Sequence, residues 1–114
     1  MKYNDLIRDT IENNEVVVFM KGKKEKPVCG WSARIVRILN SLEVPFTDVD
    51  LLEDHPAIAI NLKELYGWPT SPQLFLKGRL IGGSDIANEM YQSGELRELF
   101  DRELNNTAEE PTDL

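Results

Sequence analysis

Residues 15–42 read Glu15-Val-Val-Val-Phe-Met-Lys-Gly-Lys-Lys-Glu-Lys-Pro-Val-Cys-Gly-Trp-Ser-Ala-Arg-Ile-Val-Arg-Ile-Leu-Asn-Ser-Leu42, and this stretch decides the fold. The run Glu15–Met20 is β-branched and aromatic without polar alternation. It predicts a strand buried on both faces, as in a parallel sheet covered by helices. Lys21–Val28 carries four lysines, Gly22 and Pro27, and reads as a loop. From Gly30 onward Ile35, Leu39 and Leu42 recur at helical spacing, with Val36 and Ile38 widening the stripe. That pattern predicts a core-facing helix ending near Glu43, ahead of Pro45.

Outward from this unit the pattern stays regular. Residues 4–13 place Leu6, Ile7 and Ile11 on one side and predict a short amphipathic helix. Phe46–Leu51 alternates apolar with polar and predicts a second strand. Pro56 after Asp54-His55 suits a first helical position, and Ile58, Leu62 and Leu65 mark a helix that Gly67 can end. Pro72–Leu76 and Arg79–Ile81 flank Lys77-Gly78, a hairpin turn, and Gly82-Gly83 breaks the second of these strands. Ser84 is placed to cap a helix carrying Ile86 and Met90. After Gly94 a last helix carries Leu96, Leu99, Phe100 and Leu104.

The order α-β-α-β-α-β-β-α-α fits a four-stranded mixed sheet with helices on both faces. A right-handed crossover makes the first two strands parallel, and the hairpin adds an antiparallel pair. The expected class is α/β, of the thioredoxin fold. The 114 residues have room for one core, expected over residues 1–104, with an acidic disordered tail at 105–114.

Composition excludes several functions. A formal net charge of −7 argues against general nucleic-acid binding, which needs a basic face. No apolar run approaches the ~20 residues of a membrane span, and the opening segment lacks the apolar centre of a secretory signal. One cysteine and one histidine allow neither an internal disulfide nor a complete single-chain zinc site. The expected setting is the cytoplasm, where a lone thiol stays reduced.

Three turns carry the candidate chemistry. Cys29 stands where the lysine loop meets a helix, facing amides that have no helical partners. Those amides and the helix dipole favour an anion, which lowers the thiol from its usual ~8.5 and makes it a better nucleophile and metal ligand. The plainer alternative is a small buried hydrophobe, the usual fate of a free cysteine. Its position beyond the C-terminal end of a parallel strand favours the reactive reading. Residues 21–26 add a local balance of +3, drawing small anions toward Cys29. Lys23, Lys24 and Lys26 mostly serve solubility on this reading, whereas Lys21 ends the strand and is held near the site.

In Trp68-Pro-Thr-Ser-Pro72 two prolines bracket a turn, and a cis bond before Pro72 would aim the Ser71 backbone at the cysteine. Turn chemistry alone accounts for the pattern equally well. Gly82-Gly83-Ser84-Asp85 offers amides for a carboxylate and, in Asp85, a partner for an ammonium group, although capping explains the same residues. His55 and Trp68 invite roles as ligand and partner contact, but a helix start and packing account for them. Together the turns suit a short peptide with a carboxylate and an ammonium at one end and a thiol of its own, a description that glutathione meets.

At this point the chain resembles the monothiol glutaredoxins of the Cys-Gly-Phe-Ser type. The resemblance rests on Met20-Lys-Gly22, Pro27-Val-Cys-Gly-Trp-Ser32, Trp68-Pro-Thr-Ser-Pro-Gln73, Leu80-Ile-Gly-Gly-Ser-Asp-Ile86 and Glu89-Met-Tyr-Gln-Ser-Gly-Glu-Leu96, and it covers roughly residues 4–104. It implies a thioredoxin fold, with glutathione bound by Lys21, the Ser71 backbone beside cis Pro72, and Gly83, Ser84 and Asp85. It also implies a [2Fe-2S] cluster shared by two protomers. Such a cluster commonly takes four thiolates, so two copies of Cys29 and two glutathione thiols complete the set. The implied partners are a second copy of the chain, BolA-type proteins and iron–sulfur recipient proteins.

Two positions depart from the family pattern. Trp31 replaces the family's phenylalanine beside the cluster. Ala59 stands where the family carries an arginine for the glycine carboxylate of glutathione. Lys63, one turn further on, is the expected substitute, as a point charge rather than a fork. The leading reading is a cluster carrier in iron–sulfur assembly and redox homeostasis. The alternative is a single-cysteine oxidoreductase removing glutathione from mixed disulfides, and an inert interaction domain comes third.

Overall fold

The computed structural model describes residues 2–52, 57–67 and 70–104. Among them, helix α1 (Lys2–Asn13) leads into strand β1 (Val16–Met20), whose five residues are all buried. The loop expected at 21–28 contains a two-residue hairpin, β2 (Gly22–Lys23) against β3 (Lys26–Pro27). Helix α2 (Gly30–Ser41) follows, then β4 (Thr47–Asp50), α3 (Ala57–Tyr66), β5 (Gln73–Leu76), β6 (Arg79–Gly82), α4 (Ser84–Ser93) and α5 (Glu95–Leu104).

The described sheet runs β4-β1-β5-β6. β1 is parallel to β4 and antiparallel to β5, and β6 closes the edge as a hairpin with β5. This is the mixed sheet expected from the element order. Strand β1 divides its side chains between two cores, as the two-residue repeat of a strand requires. Val16, Val18 and Met20 pack with Ile35, Ile38 and Leu39 of α2 and with Leu96 and Phe100 of α5. Val17 and Phe19 point the other way, onto Ile7 and Ile11 of α1 and Ile58 and Leu62 of α3. A helical layer on each face explains why the strand shows no polar alternation.

The hairpin turn has Lys77 at φ 48° and Gly78 at φ 85°, the two positive values that let a two-residue turn follow the twist of its strands. β6 stops at the Gly82-Gly83 pair, as expected, with Gly82 its last residue. One local expectation fails. Ser84 is not the cap of α4: Gly83 takes that position with extended backbone (φ −96°, ψ −160°), and Ser84 is the first helical residue. Its hydroxyl is engaged elsewhere, by Arg34. The proposed helix start at Asp54-His55-Pro56, the residues Trp68-Pro69 and the tail 105–114 lie outside the described residues.

Candidate functional site

The chain leaves β1 at Met20 and β4 at Asp50 on the same end of the sheet, because the two strands are parallel and paired in register at those residues. Ligand sites in α/β folds gather at that end. A cleft of about 760 Å³ opens there. It is lined by Lys21 and Trp31 on one side, by Ser71 and Pro72 at the start of β5, and by Gly83, Ser84 and Asp85 at the start of α4. The three turns singled out in the sequence therefore converge. The Ser71–Pro72 bond is cis, as expected. Gln73 braces this turn by donating from Nε2 to the Thr70 carbonyl at 3.1 Å.

Cys29 is the N-cap residue of α2, in extended conformation (φ −142°, ψ 137°) and only partly buried. The inert, buried alternative therefore does not describe it. Its thiol closes no full cap hydrogen bond. The amides of the first turn nevertheless lie close enough to stabilise charge on a large, soft acceptor. The thiol sits below its ordinary value, chiefly because the backbone N–H of Ser32 faces the sulfur. Burial opposes the shift, and the Trp31 N–H, the Ser32 hydroxyl and the Lys21 ammonium reinforce it. Ser32 is fully buried, and its Oγ accepts the Lys21 backbone N–H at 3.1 Å. That bond leaves the hydroxyl hydrogen directed to a second acceptor. The sequence signal for this role is the place of Ser32 three residues after the cap.

The lysine loop keeps Lys23 and Lys26 exposed, as the solvated reading expects, but parts of it are tied down. Asp50 is buried, and its Oδ1 accepts the N–H of Gly22 at 3.0 Å and of Leu52 at 2.9 Å. Lys23 pairs with the same carboxylate at 3.9 Å. The Lys24 N–H bonds Asp48 at 2.7 Å, its ammonium reaches the Phe46 carbonyl, and it lies 4.5 Å over the Phe46 ring. Lys23 and Lys24 are thus held against β4 and the Phe46 that precedes it, because alternate acidic residues of that strand end beside the loop.

Lys63 is exposed in the last turn of α3 and does not line the cleft, whereas Ala59, one turn earlier, does. Arg34 escaped the sequence reading altogether. From α2 its Nε donates to Ser84 Oγ at 2.7 Å, and its Nη2 pairs with the Asp85 carboxylate. Its guanidinium carbon stands 5.3 Å from the centre of the Trp31 ring. Among the described residues no three His, Cys, Asp or Glu side chains converge as a metal site, and no helix is long and apolar enough to cross a membrane.

The chain is similar to known proteins over most of its length. A family model described as Glutaredoxin matches residues 16–81. "Probable monothiol glutaredoxin 2" of Rickettsia prowazekii is 50% identical over 96 residues, which cover 84% of this chain and 89% of that one. Glutaredoxin 4 of Haemophilus influenzae is 46% identical over 100 residues, 88% of this chain and 92% of that one. Among solved structures, reduced poplar apo GrxS14 matches with a TM-score of 0.76 at 42% identity, covering 88% of this chain and 91% of that one. A buckwheat glutaredoxin–glutathione complex matches with a TM-score of 0.75 at 26% identity, covering 83% and 84%.

Proposed function

The chain belongs to the glutaredoxin family, with monothiol glutaredoxins among its relatives, and from that premise we propose that it binds glutathione and carries a [2Fe-2S] cluster as cargo. The observation that carries the reading is a single, partly exposed, lowered thiol two residues before Trp31, which lines a cleft together with Lys21, Ser71, Gly83 and Asp85. The donor set agrees with it. A [2Fe-2S] cluster takes four thiolates. This chain has one cysteine, and no other metal-binding cluster occurs among its described residues. Two copies of Cys29 and two glutathione thiols make up the four, so the loaded form is a homodimer.

On this reading the Ser71 backbone pairs with the extended tripeptide, and the Gly83 and Ser84 amides take the carboxylate of its γ-glutamyl end. Asp85 takes the ammonium, while Lys21 adds positive charge beside the thiol. Lys63 supplies long-range attraction to the glycine carboxylate. The exposed side chains of Val28 and Trp31 flank Cys29 and form the apolar rim against which a second copy, a BolA-type protein or a cluster recipient docks. A lone reduced thiol suits the cytoplasm.

The lowered thiol also favours a second reading, deglutathionylation. There the Cys29 thiolate attacks the glutathione sulfur of a mixed disulfide and the substrate thiolate leaves. A second glutathione thiolate then resolves the Cys29 mixed disulfide, giving glutathione disulfide. Anaerobic reconstitution with iron, sulfide and glutathione separates the two. A coloured dimer by absorption and sizing that is lost in Cys29→Ser supports the carrier. Rapid turnover of a glutathionylated substrate with no coloured species overturns it.

A further inference from the structure

Three cleft-lining residues, Trp31, Ser84 and Asp85, share one contact that is not itself in the lining: the guanidinium of Arg34. We propose that Arg34 is a positioning residue that sets the selectivity of the cleft for a ligand bearing a free α-ammonium group. It acts by holding the Asp85 carboxylate in place, with Trp31 as its platform. The inference rests on the glutathione reading above and adds a determinant to it.

The geometry assigns one task to each part of the side chain. Nε donates to Ser84 Oγ and Nη2 to Asp85 Oδ1, so two consecutive residues at the start of α4 are read by one rigid plane. The plane cannot rotate freely, because its carbon sits 5.3 Å from the Trp31 ring, within the range of cation–π attraction. Arg34 itself is three-quarters covered, whereas the Asp85 side chain is 83% exposed. An exposed carboxylate on a helix end would otherwise sample several rotamers. Engaging Oδ1 leaves the carboxylate its remaining acceptor capacity, on Oδ2, for a donor bound in the cleft. The ammonium of a γ-glutamyl group is such a donor.

The arrangement also accounts for Trp31. Tryptophan offers the strongest aromatic face for a cation, so a chain with arginine at 34 gains from tryptophan where its relatives by pattern have phenylalanine. Lysine at 34 could not repeat the arrangement, since one ammonium nitrogen cannot address Ser84 and Asp85 along fixed, coplanar directions.

The test compares two ligands by calorimetry: glutathione, and glutaryl-cysteinylglycine, which lacks only the γ-glutamyl amino group. The wild type is expected to bind glutathione about tenfold more tightly, the size of one charge-assisted contact at a partly exposed site. Arg34→Gln should bring that ratio to about threefold or less, and Arg34→Lys should not restore it. In an Asp85→Asn background, Arg34→Gln should leave the ratio unchanged, because the residue acts through Asp85. A merely structural tie between α2 and α4 would weaken both ligands equally and leave the ratio intact, and that result overturns the proposal. A wild type that binds both ligands equally well also overturns it, while leaving glutathione binding standing. A wild type that binds neither ligand overturns the glutathione reading itself and this inference with it.

Discussion

At Cys29 the direction of the thiol shift fixes a pH dependence. A thiol lowered in the folded state is ionised there while its unfolded counterpart, near ~8.5, still holds its proton. The unfolded chain binds more protons in that window, so stability rises with pH from the lowered value up to ~8.5 and levels off above it. Relative to Cys29→Ser, the native protein is expected to gain stability across that interval and lose it on acidification through the lowered value, as urea midpoints at several pH values will show. Alkylation by iodoacetamide reads the same ionisation directly. Because the Ser32 amide and hydroxyl are both causes of the shift, Ser32→Ala should move the alkylation midpoint toward higher pH while leaving the amide contribution in place. Lys63 makes a weaker claim on the cleft, being exposed and outside its lining. Lys63→Ala is expected to reduce glutathione affinity about twofold at low salt and hardly at all at high salt, the behaviour of a screened surface charge. Calorimetry at two ionic strengths checks this.

At the scale of elements, the segment between β1 and α2 matters most, since it sets where Cys29 lies. Its conformation depends on Gly22 and Asp50. Gly22 has φ 89°, and a Cβ there would meet the Lys26 carbonyl oxygen and the Val28 nitrogen, each at 2.7 Å. Backbone cannot yield as a flexible side chain can, so Gly22→Ala must open the β2–β3 hairpin. The expected loss is about 2–4 kcal/mol, combining the left-handed strain with the clash. Chemical denaturation measures that loss, and faster proteolysis confined to 22–28 would locate it. The lysine pattern made this segment look like a solvated loop, because local composition does not show which acidic residues lie across from it. Asp48 and Asp50 are more than twenty residues away in the chain. Ser84 teaches the same lesson. Local rules gave it the cap, but an arginine fifty residues earlier in the chain holds its hydroxyl, and Gly83 takes the capping position.

For the whole molecule, the sheet acts as a partition between two cores that must both be intact for the three turns to converge. Phe75 of β5 stands edge-on to Phe19 of β1 (5.6 Å between centroids) and to Tyr66 of α3 (5.0 Å), joining sheet and helix beneath the cleft. Phe75→Ala is expected to lower stability by about 3–5 kcal/mol, the range for a buried aromatic truncated to alanine, and thermal unfolding checks it. The apolar run at 16–20, the helical stripe of α2 and the Lys77-Gly78 turn carried their structure in residue order, because burial period and turn chemistry act over a few neighbours. That is why the element order and the mixed sheet could be read in advance, and why the turns carrying Lys21, Ser71, Pro72 and Asp85 could be singled out there. What residue order could not disclose was which groups meet across the fold: the Ser32 hydroxyl with the Lys21 amide, Asp50 with the lysine loop, Arg34 with Asp85. Those contacts join residues eleven to fifty-one positions apart, and only the packed fold, by fixing distance and direction together, decides them.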